Sequence, residues 1–204
     1  INREWRVVGG EMQASSHRRY QLPANTGLLP VNMGAAIQAL EVSGLVTVDQ
    51  SLVNHLASVR LTGRLSRIQT EDFELVLDVA HNVESVSQLV QFLTDHPVSG
   101  KTAAVFGVMG DKPIHDMLAL CESAFDEWHL IDLCHVSRAM STDRLTEFLK
   151  PMGAPIHQGA FADLWQSLMT RVTTGDRVVV FGSFFSVGEA TAYLAAHHYD
   201  GEQH

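Results

Sequence analysis

The segment ELVLDVAHNVESVSQLVQFL, residues 74–93, changes its periodicity half-way along. Glu74–Ala80 is a mostly apolar run of strand length, whereas Val83, Val86, Leu89, Val90 and Leu93 recur at the spacing of one helix face. A strand that passes into a helix across a few polar residues is the repeating unit of an α/β sheet. The polar residues at this junction are Asp78, His81 and Asn82. Beside apolar sequence they cost free energy unless something pairs with them. Asn82 suits an N-cap ahead of Glu84 and Ser85. Asp78 suits a local cap or ion pair, or a carboxylate that meets a ribose hydroxyl, a metal-bound water or a cation. His81 suits backbone hydrogen bonds or a ligand contact.

The same alternation continues downstream. Lys101–Val108 reads as a second strand, Gly107 and Gly110 punctuate the loop after it, and Pro113 suits a first helical turn. Ile114, Met117, Leu118, Cys121 and Phe125 form the apolar stripe of that helix. A third strand is expected at His129–Leu133, a helix at Asp143–Leu149 ending near Pro151 and Gly153, and a brief strand around Ile156. Phe161, Leu164, Trp165, Leu168, Met169 and Val172 mark an amphipathic helix. Arg177–Phe181 has the continuous apolar character of a strand buried on both faces. Ser186 and Glu189 have capping-box spacing for a last helix.

Five such alternations in about 130 residues predict an α/β fold. The expected form is a Rossmann-like, mostly parallel open sheet with helices on both faces. Ligands of such sheets lie beyond the carboxyl ends of the strands. Three polar corners are expected there: Asp78–Asn82, Gly110-Asp111-Lys112 and Gly182-Ser183. Gly182-Ser183 offers amides and a hydroxyl at a helix start, whereas Asp111-Lys112 equally suits a solvated turn.

Residues 1–62 do not join this rhythm. Arg3–Val8 reads as a strand, Pro23–Pro30 as an irregular loop, Asn32–Ser43 as a helix ending at Gly44, and Asp49–Leu56 as another helix. We read residues 1–62 as the end of a preceding domain, residues 63–204 as a domain in their own right, and residues 60–65 as a hinge. The first residue is Ile1, and the expectation is a fragment of a longer chain.

With 46% hydrophobic and 18% charged residues, the 204-residue chain can bury a substantial core. A formal charge of −9 argues against nucleic-acid or anionic-membrane partners. Cys121 and Cys134 form no CxxC motif, and no signal peptide or 18-residue apolar run is present, so a soluble cytoplasmic protein is expected. Several chemistries lack their motifs. GxSxG is absent around Ser183, which argues against a hydrolase nucleophile. HExxH is absent and the 11 histidines show no ligand spacing, so no metal site is expected in this stretch. Neither GxGxxG nor a GxxxxGKS or GxxxxGKT loop occurs.

The corners together resemble one family. LDVAHN (77–82), GVMGDKPI (107–114) and FGSFFSVGEA (181–190) resemble the C-terminal domain of bacterial dihydrofolate synthase/folylpolyglutamate synthase, in the ATP-dependent Mur ligase superfamily. LTGRLSRI (61–68) is similar to the Gly-Arg segment before that domain, and LPVNMGAAIQAL (29–40) to the helix that closes the central ATPase domain. The resemblance implies an ATP- and Mg2+-dependent ligase that joins L-glutamate to dihydropteroate or a folate through an acyl phosphate. It implies nucleotide contacts from Asn32, Arg64 and Asp78, glutamate contacts from His81 and Ser183, and support from Asn82, Asp111 and Lys112. No residue of this stretch is assigned a catalytic role. The phosphate loop and Mg2+ ligands of the family belong to an N-terminal domain, so the stretch alone is expected to be inactive, and the parent enzyme monomeric.

Departures are Val83 where the family has Pro, Thr62 where Pro is common, and Phe185 where His is common. Two alternatives stand beside this reading: another Mur-type amino-acid ligase, and a non-catalytic α/β binding module. The binding module predicts that substituting His81 or Ser183 changes no activity.

Overall fold

The computed structural model describes residues 4–24, 28, 30–59, 63–197 and 202–203. The chain divides into two units, Ile1–Leu61 and Thr62–His204. Residues 25–27 and 29 of the expected loop and 60–62 of the expected hinge lie outside the described residues, as does Thr62.

In the first unit, β1 (Arg6–Val8), β2 (Glu11–Gln13) and β3 (Arg19–Gln21) form an antiparallel sheet in that order. Helix α1 (Pro30–Ser43) and α2 (Gln50–Asn54) follow, with Asp49 capping α2 by accepting the Leu52 N–H at 2.8 Å. Met12, Tyr20, Met33, Ile37 and Val53 are the centre of its core. Only β1 was legible as a strand, because three residues are too few to establish a period of two.

The second unit holds the expected α/β sheet. Its strands are β4 (Ser66–Gln69), β5 (Phe73–Asp78), β6 (Thr102–Phe106), β7 (Glu127–Ile131), β8 (Ile156–Gly159), β9 (Asp176–Phe181) and β10 (Glu202–Gln203). Its helices are α3 (Val83–Asp95), α4 (Ile114–Ala119), α5 (Thr142–Leu149), α6 (Phe161–Met169) and α7 (Phe184–Ala196). The strands lie in the order β10-β4-β5-β9-β6-β7-β8. β5, β9, β6, β7 and β8 are parallel; β4 pairs antiparallel with β5, and β10 pairs antiparallel with β4.

Side chains alternate across this sheet with period two. Val76, Ala104, Phe106, Trp128, Leu130, Val179 and Phe181 face α3, α4 and α5. Leu75, Leu77, Ala103, Val105, Ile131, Val178 and Val180 face α6 and α7. Apolar layers on both faces explain why β5, β6 and β9 read as unbroken apolar runs. The chain steps outward from β6 to β8 with helices on one face, then returns to β9 with helices on the other. β9 therefore lies between β5 and β6, and its following helix leaves toward the opposite face from theirs. Such a switch opens a crevice at the carboxyl edge.

Three local expectations are corrected. β7 begins at Glu127, two residues earlier than expected, because Trp128 is buried between the polar Glu127 and His129, which masked the alternation. Helix α4 stops at Ala119, and the following turns bury Cys121 and Phe125. Ser186 is not the N-cap of α7; Ser183 is, and Ser186 occupies the third helical position. No described helix is long and apolar enough to cross a membrane.

Candidate functional site

Adjacent strands β5, β9 and β6 bring three corners together at the carboxyl edge. At the β5 corner, the Asp78 side chain is 6% exposed. Its Oδ2 accepts the Leu65 N–H at 3.0 Å, and its Oδ1 accepts the Ala80 N–H at 2.8 Å. Burial pushes its pKa up to about 6, and the two amides, Arg64 and His81 offset only part of that cost. The carboxylate thus ties the turn before β4 to the end of β5. Val79 completes the tie by donating its N–H to the Gly63 carbonyl at 2.7 Å. Gly63 has φ +75°, and a Cβ there would lie 3.0–3.1 Å from Val187 and Val79 methyls. Leu65 also has a positive φ, +45°. Half-buried Arg64 stands between these two left-handed residues, held at the same edge as Asp78.

His81 is half-buried, and its Nδ1 lies 2.7 Å from the Val79 carbonyl oxygen. A carbonyl only accepts, so Nδ1 carries the hydrogen and Nε2 of the neutral ring is an acceptor. Asn82 has extended backbone (φ −145°) and caps α3, its Oδ1 accepting the Ser85 N–H at 2.8 Å. Ser85 Oγ returns a contact to the Asn82 N–H at 3.2 Å, closing a capping box. The expected cap is therefore in place, with Glu84 in the first helical turn.

At the β9 corner, Gly182 has φ +108°, and a Cβ there would lie 2.6 Å from the Gly107 carbonyl oxygen. Only glycine adopts this backbone so close to another strand's corner. Ser183 is buried, and its Oγ accepts the Ser186 N–H at 3.0 Å. Ser186 Oγ donates to the Gly107 carbonyl at 2.6 Å, so the 2.8 Å contact between the two hydroxyls has Ser183 as donor. The Ser183 proton is thereby committed within the fold, and its oxygen retains acceptor capacity only. The His81 and Phe184 rings lie 6.1 Å apart, joining the β5 and β9 corners.

The structure groups Arg64, Asp78, His81, Asn82 and Ser183 through these links. Asp111 and Lys112 pair with each other at 3.1 Å, with Asp111 exposed, and this contact lowers the Asp111 pKa. Their loop is held by the Gly110 N–H donating to the Arg138 carbonyl at 2.8 Å. Asn32 is exposed in the first turn of α1, in the other unit. Sequence reading gave Ser186 only as a cap and Gly107 only as loop punctuation, and so missed the bond by which they join the β9 and β6 corners; it gave no role to Phe184, which is 64% exposed beside His81. Glu189, expected only as a capping-box member, has its Oε1 3.4 Å from His135 Nε2, and burial raises its pKa. All four lie within the stretches 107–114 and 181–190, but a contact between distant elements leaves no local pattern.

A hard ion such as Mg2+ needs several free oxygens in octahedral array. Asp78 already accepts two amides and Asp111 is paired with Lys112, so these carboxylates do not fit a Mg2+ site.

The family model described as "Mur ligase, glutamate ligase domain" matches residues 63–184. A curated relative, "Dihydrofolate synthase/folylpolyglutamate synthase" of Buchnera aphidicola subsp. Schizaphis graminum, is 29% identical over 171 residues, covering 83% of this chain and 40% of its own length. The chain thus spans about two-fifths of that relative's length. Among solved structures, E. coli FolC in complex with DHPP and ADP aligns with a TM-score of 0.75 at 27% identity, covering 95% of this chain and 46% of that one. A bifunctional folylpolyglutamate synthase/dihydrofolate synthase with Mn, AMPPNP and L-glutamate bound aligns at 0.73 and 30% identity, covering 95% and 45%. The match covers more than half of the chain: the chain belongs to the Mur ligase family and carries its glutamate ligase domain.

Proposed function

We propose that this chain is the C-terminal part of an ATP-dependent ligase that joins L-glutamate to dihydropteroate, to folylpolyglutamate, or to both. The observation that carries the reading is the meeting of the Arg64–Asp78, His81 and Ser183 corners at the switch point of a Mur ligase domain. In the reaction, ATP phosphorylates a substrate carboxylate, and the glutamate amine then attacks the acyl phosphate, with ADP and phosphate as products. The work of this wall is positioning and charge stabilisation rather than covalent chemistry.

Arg64 is a fixed cation suited to phosphoryl charge, and Asp78 holds the turn that presents it. Asp78 has residual lone pairs for a ribose hydroxyl, and Asn32 is assigned to the adenine region. His81, anchored through Nδ1, offers Nε2 to the incoming glutamate. Ser183 can accept from the ammonium or amine of glutamate but cannot donate to its carboxylate without breaking the link to Ser186. That assigns Ser183 to the amine. Asn82, Asp111 and Lys112 support the same wall. Sequence beyond this stretch supplies the phosphate loop and the Mg2+ oxygens, so the 204 residues alone do not turn over.

The test is ATP- and glutamate-dependent phosphate release, measured on the chain alone and on the protein encoded by the complete reading frame. Turnover only in the latter, with dihydropteroate or a folate as acceptor and a raised glutamate KM in H81A, is expected. Turnover by the 204 residues alone, or an unchanged glutamate KM in H81A, overturns the assignment.

A further inference from the structure

Glu127 and His129 lie two residues apart on β7, on the face covered by α6. β8 pairs in parallel register, with His157 opposite His129, and the two rings stack at 4.8 Å. Donor atoms of the three side chains all lie within 4.8 Å of one another. His129 Nε2 is 3.3 Å from Glu127 Oε1, and His157 Nε2 is 3.9 Å from Glu127 Oε2.

The buried histidine is the unexplained member. His129 is 0% exposed; its Nδ1 makes no hydrogen bond among the described residues, and its Nε2 has only a poorly aligned contact with the Glu127 carboxylate at 3.3 Å. His157 Nε2 is also buried without one. Polar atoms removed from water without partners are costly, and a ligand at this point would remove that cost. Burial lowers the His129 pKa, which keeps the ring in its neutral, electron-donating form.

The spacing suits a small tetrahedral ion. Metal–ligand bonds of about 2.0–2.1 Å place tetrahedral ligand atoms about 3.3 Å apart. The His129 Nε2–Glu127 Oε1 separation of 3.3 Å already matches, and the two separations that involve His157, all within 4.8 Å, close by rotation of that residue, whose side chain is 41% exposed. Two imidazoles with one carboxylate form a borderline-soft set that favours Zn2+ over Mg2+. Arg171 Nη1 bonds Glu127 Oε2 at 2.8 Å, which orients the carboxylate and leaves Oε1 toward His129.

We propose that Glu127, His129 and His157 form a Zn2+-binding site that ties the edge strand β8 to β7. It lies toward the amino ends of these strands, opposite the corners, and is independent of the ligase reading.

The test uses the 204-residue chain stripped with a chelator and titrated with Zn2+ alone, then with Co2+ as a spectroscopic substitute. Expected are one tightly retained equivalent, the strong visible bands of four-coordinate Co2+, and a rise of several degrees in the thermal midpoint with Zn2+. In H157N and E127Q, binding weakens by at least about tenfold and the thermal shift disappears. His157 is half-exposed, so H157N keeps the fold, as circular dichroism would verify. Uptake that is unchanged in both variants, assigning it to other histidines, or the absence of a retained equivalent overturns the site.

Discussion

Asp78 Oδ2 accepts the N–H of Leu65 at 3.0 Å, so the last residue of β5 holds the left-handed residue that follows Arg64. The carboxylate that resembles a ligand group is first a structural clamp. Its substitution will therefore change stability as well as any nucleotide contact.

Asp78→Asn turns one acceptor into a donor facing an amide, and is expected to destabilise by about 1–3 kcal/mol at low pH, read by urea unfolding. The pH dependence has a definite sign. The folded pKa of about 6 exceeds the reference value of 3.8, so the folded state binds more protons between these values. Stability from this group is greatest below about pH 4 and declines as pH rises through 6. Two pKa units correspond to about 3 kcal/mol. The wild-type decline over this window should exceed that of D78N, and parallel curves would refute the assignment.

Ser183→Ala removes the N-cap of α7 and is expected to cost about 1 kcal/mol. Ser186→Ala strands both the Gly107 carbonyl and the Ser183 hydroxyl, at about 1–3 kcal/mol. Denaturant midpoints should therefore rank S186A at least as low as S183A, although Ser183 stands at the strand corner.

Gly182→Ala combines φ +108° with a Cβ 2.6 Å from the Gly107 oxygen. Backbone strain alone is about 1–3 kcal/mol, and the collision adds to it. The expected result is a drop of many degrees in the thermal midpoint, while Gly153→Ala, with open space around its Cβ, lowers it less.

At the opposite edge, Arg177 Nε meets Glu74 Oε2 at 2.5 Å, and both residues are buried. Among the described residues, Arg177→Met leaves Glu74 paired with Arg67 alone, whose side chain is 40% exposed. A loss of about 3–5 kcal/mol is expected, against about 0–1 kcal/mol for Arg67→Met. Urea titration of the two variants checks the ranking.

The change of period at residues 74–93, the apolar runs at β6 and β9, and the stripe of α6 specify the α/β class, because alternation and helical spacing are local properties. Asn82 was legible for the same reason, since an N-cap acts on residues three positions away. Cys121 and Phe125 were correctly read as buried but not as lying outside α4, because burial does not require helix. Ser186 was misplaced by one helical turn because Ser183 and Ser186 both offer a hydroxyl at capping distance. Only their bonds to Gly107 and to each other distinguish the two.

Local sequence thus determined the alternating strands and helices from β5 onward, the sheet class and the corner residues, together with the motifs that carry the family resemblance. The insertion of β9 between β5 and β6, the spent proton of Ser183, the burial of Asp78 and the meeting of His129 with His157 across 28 residues of chain were settled by packing. Strand order and desolvation depend on which distant side chains share a face, and no short-range pattern encodes that.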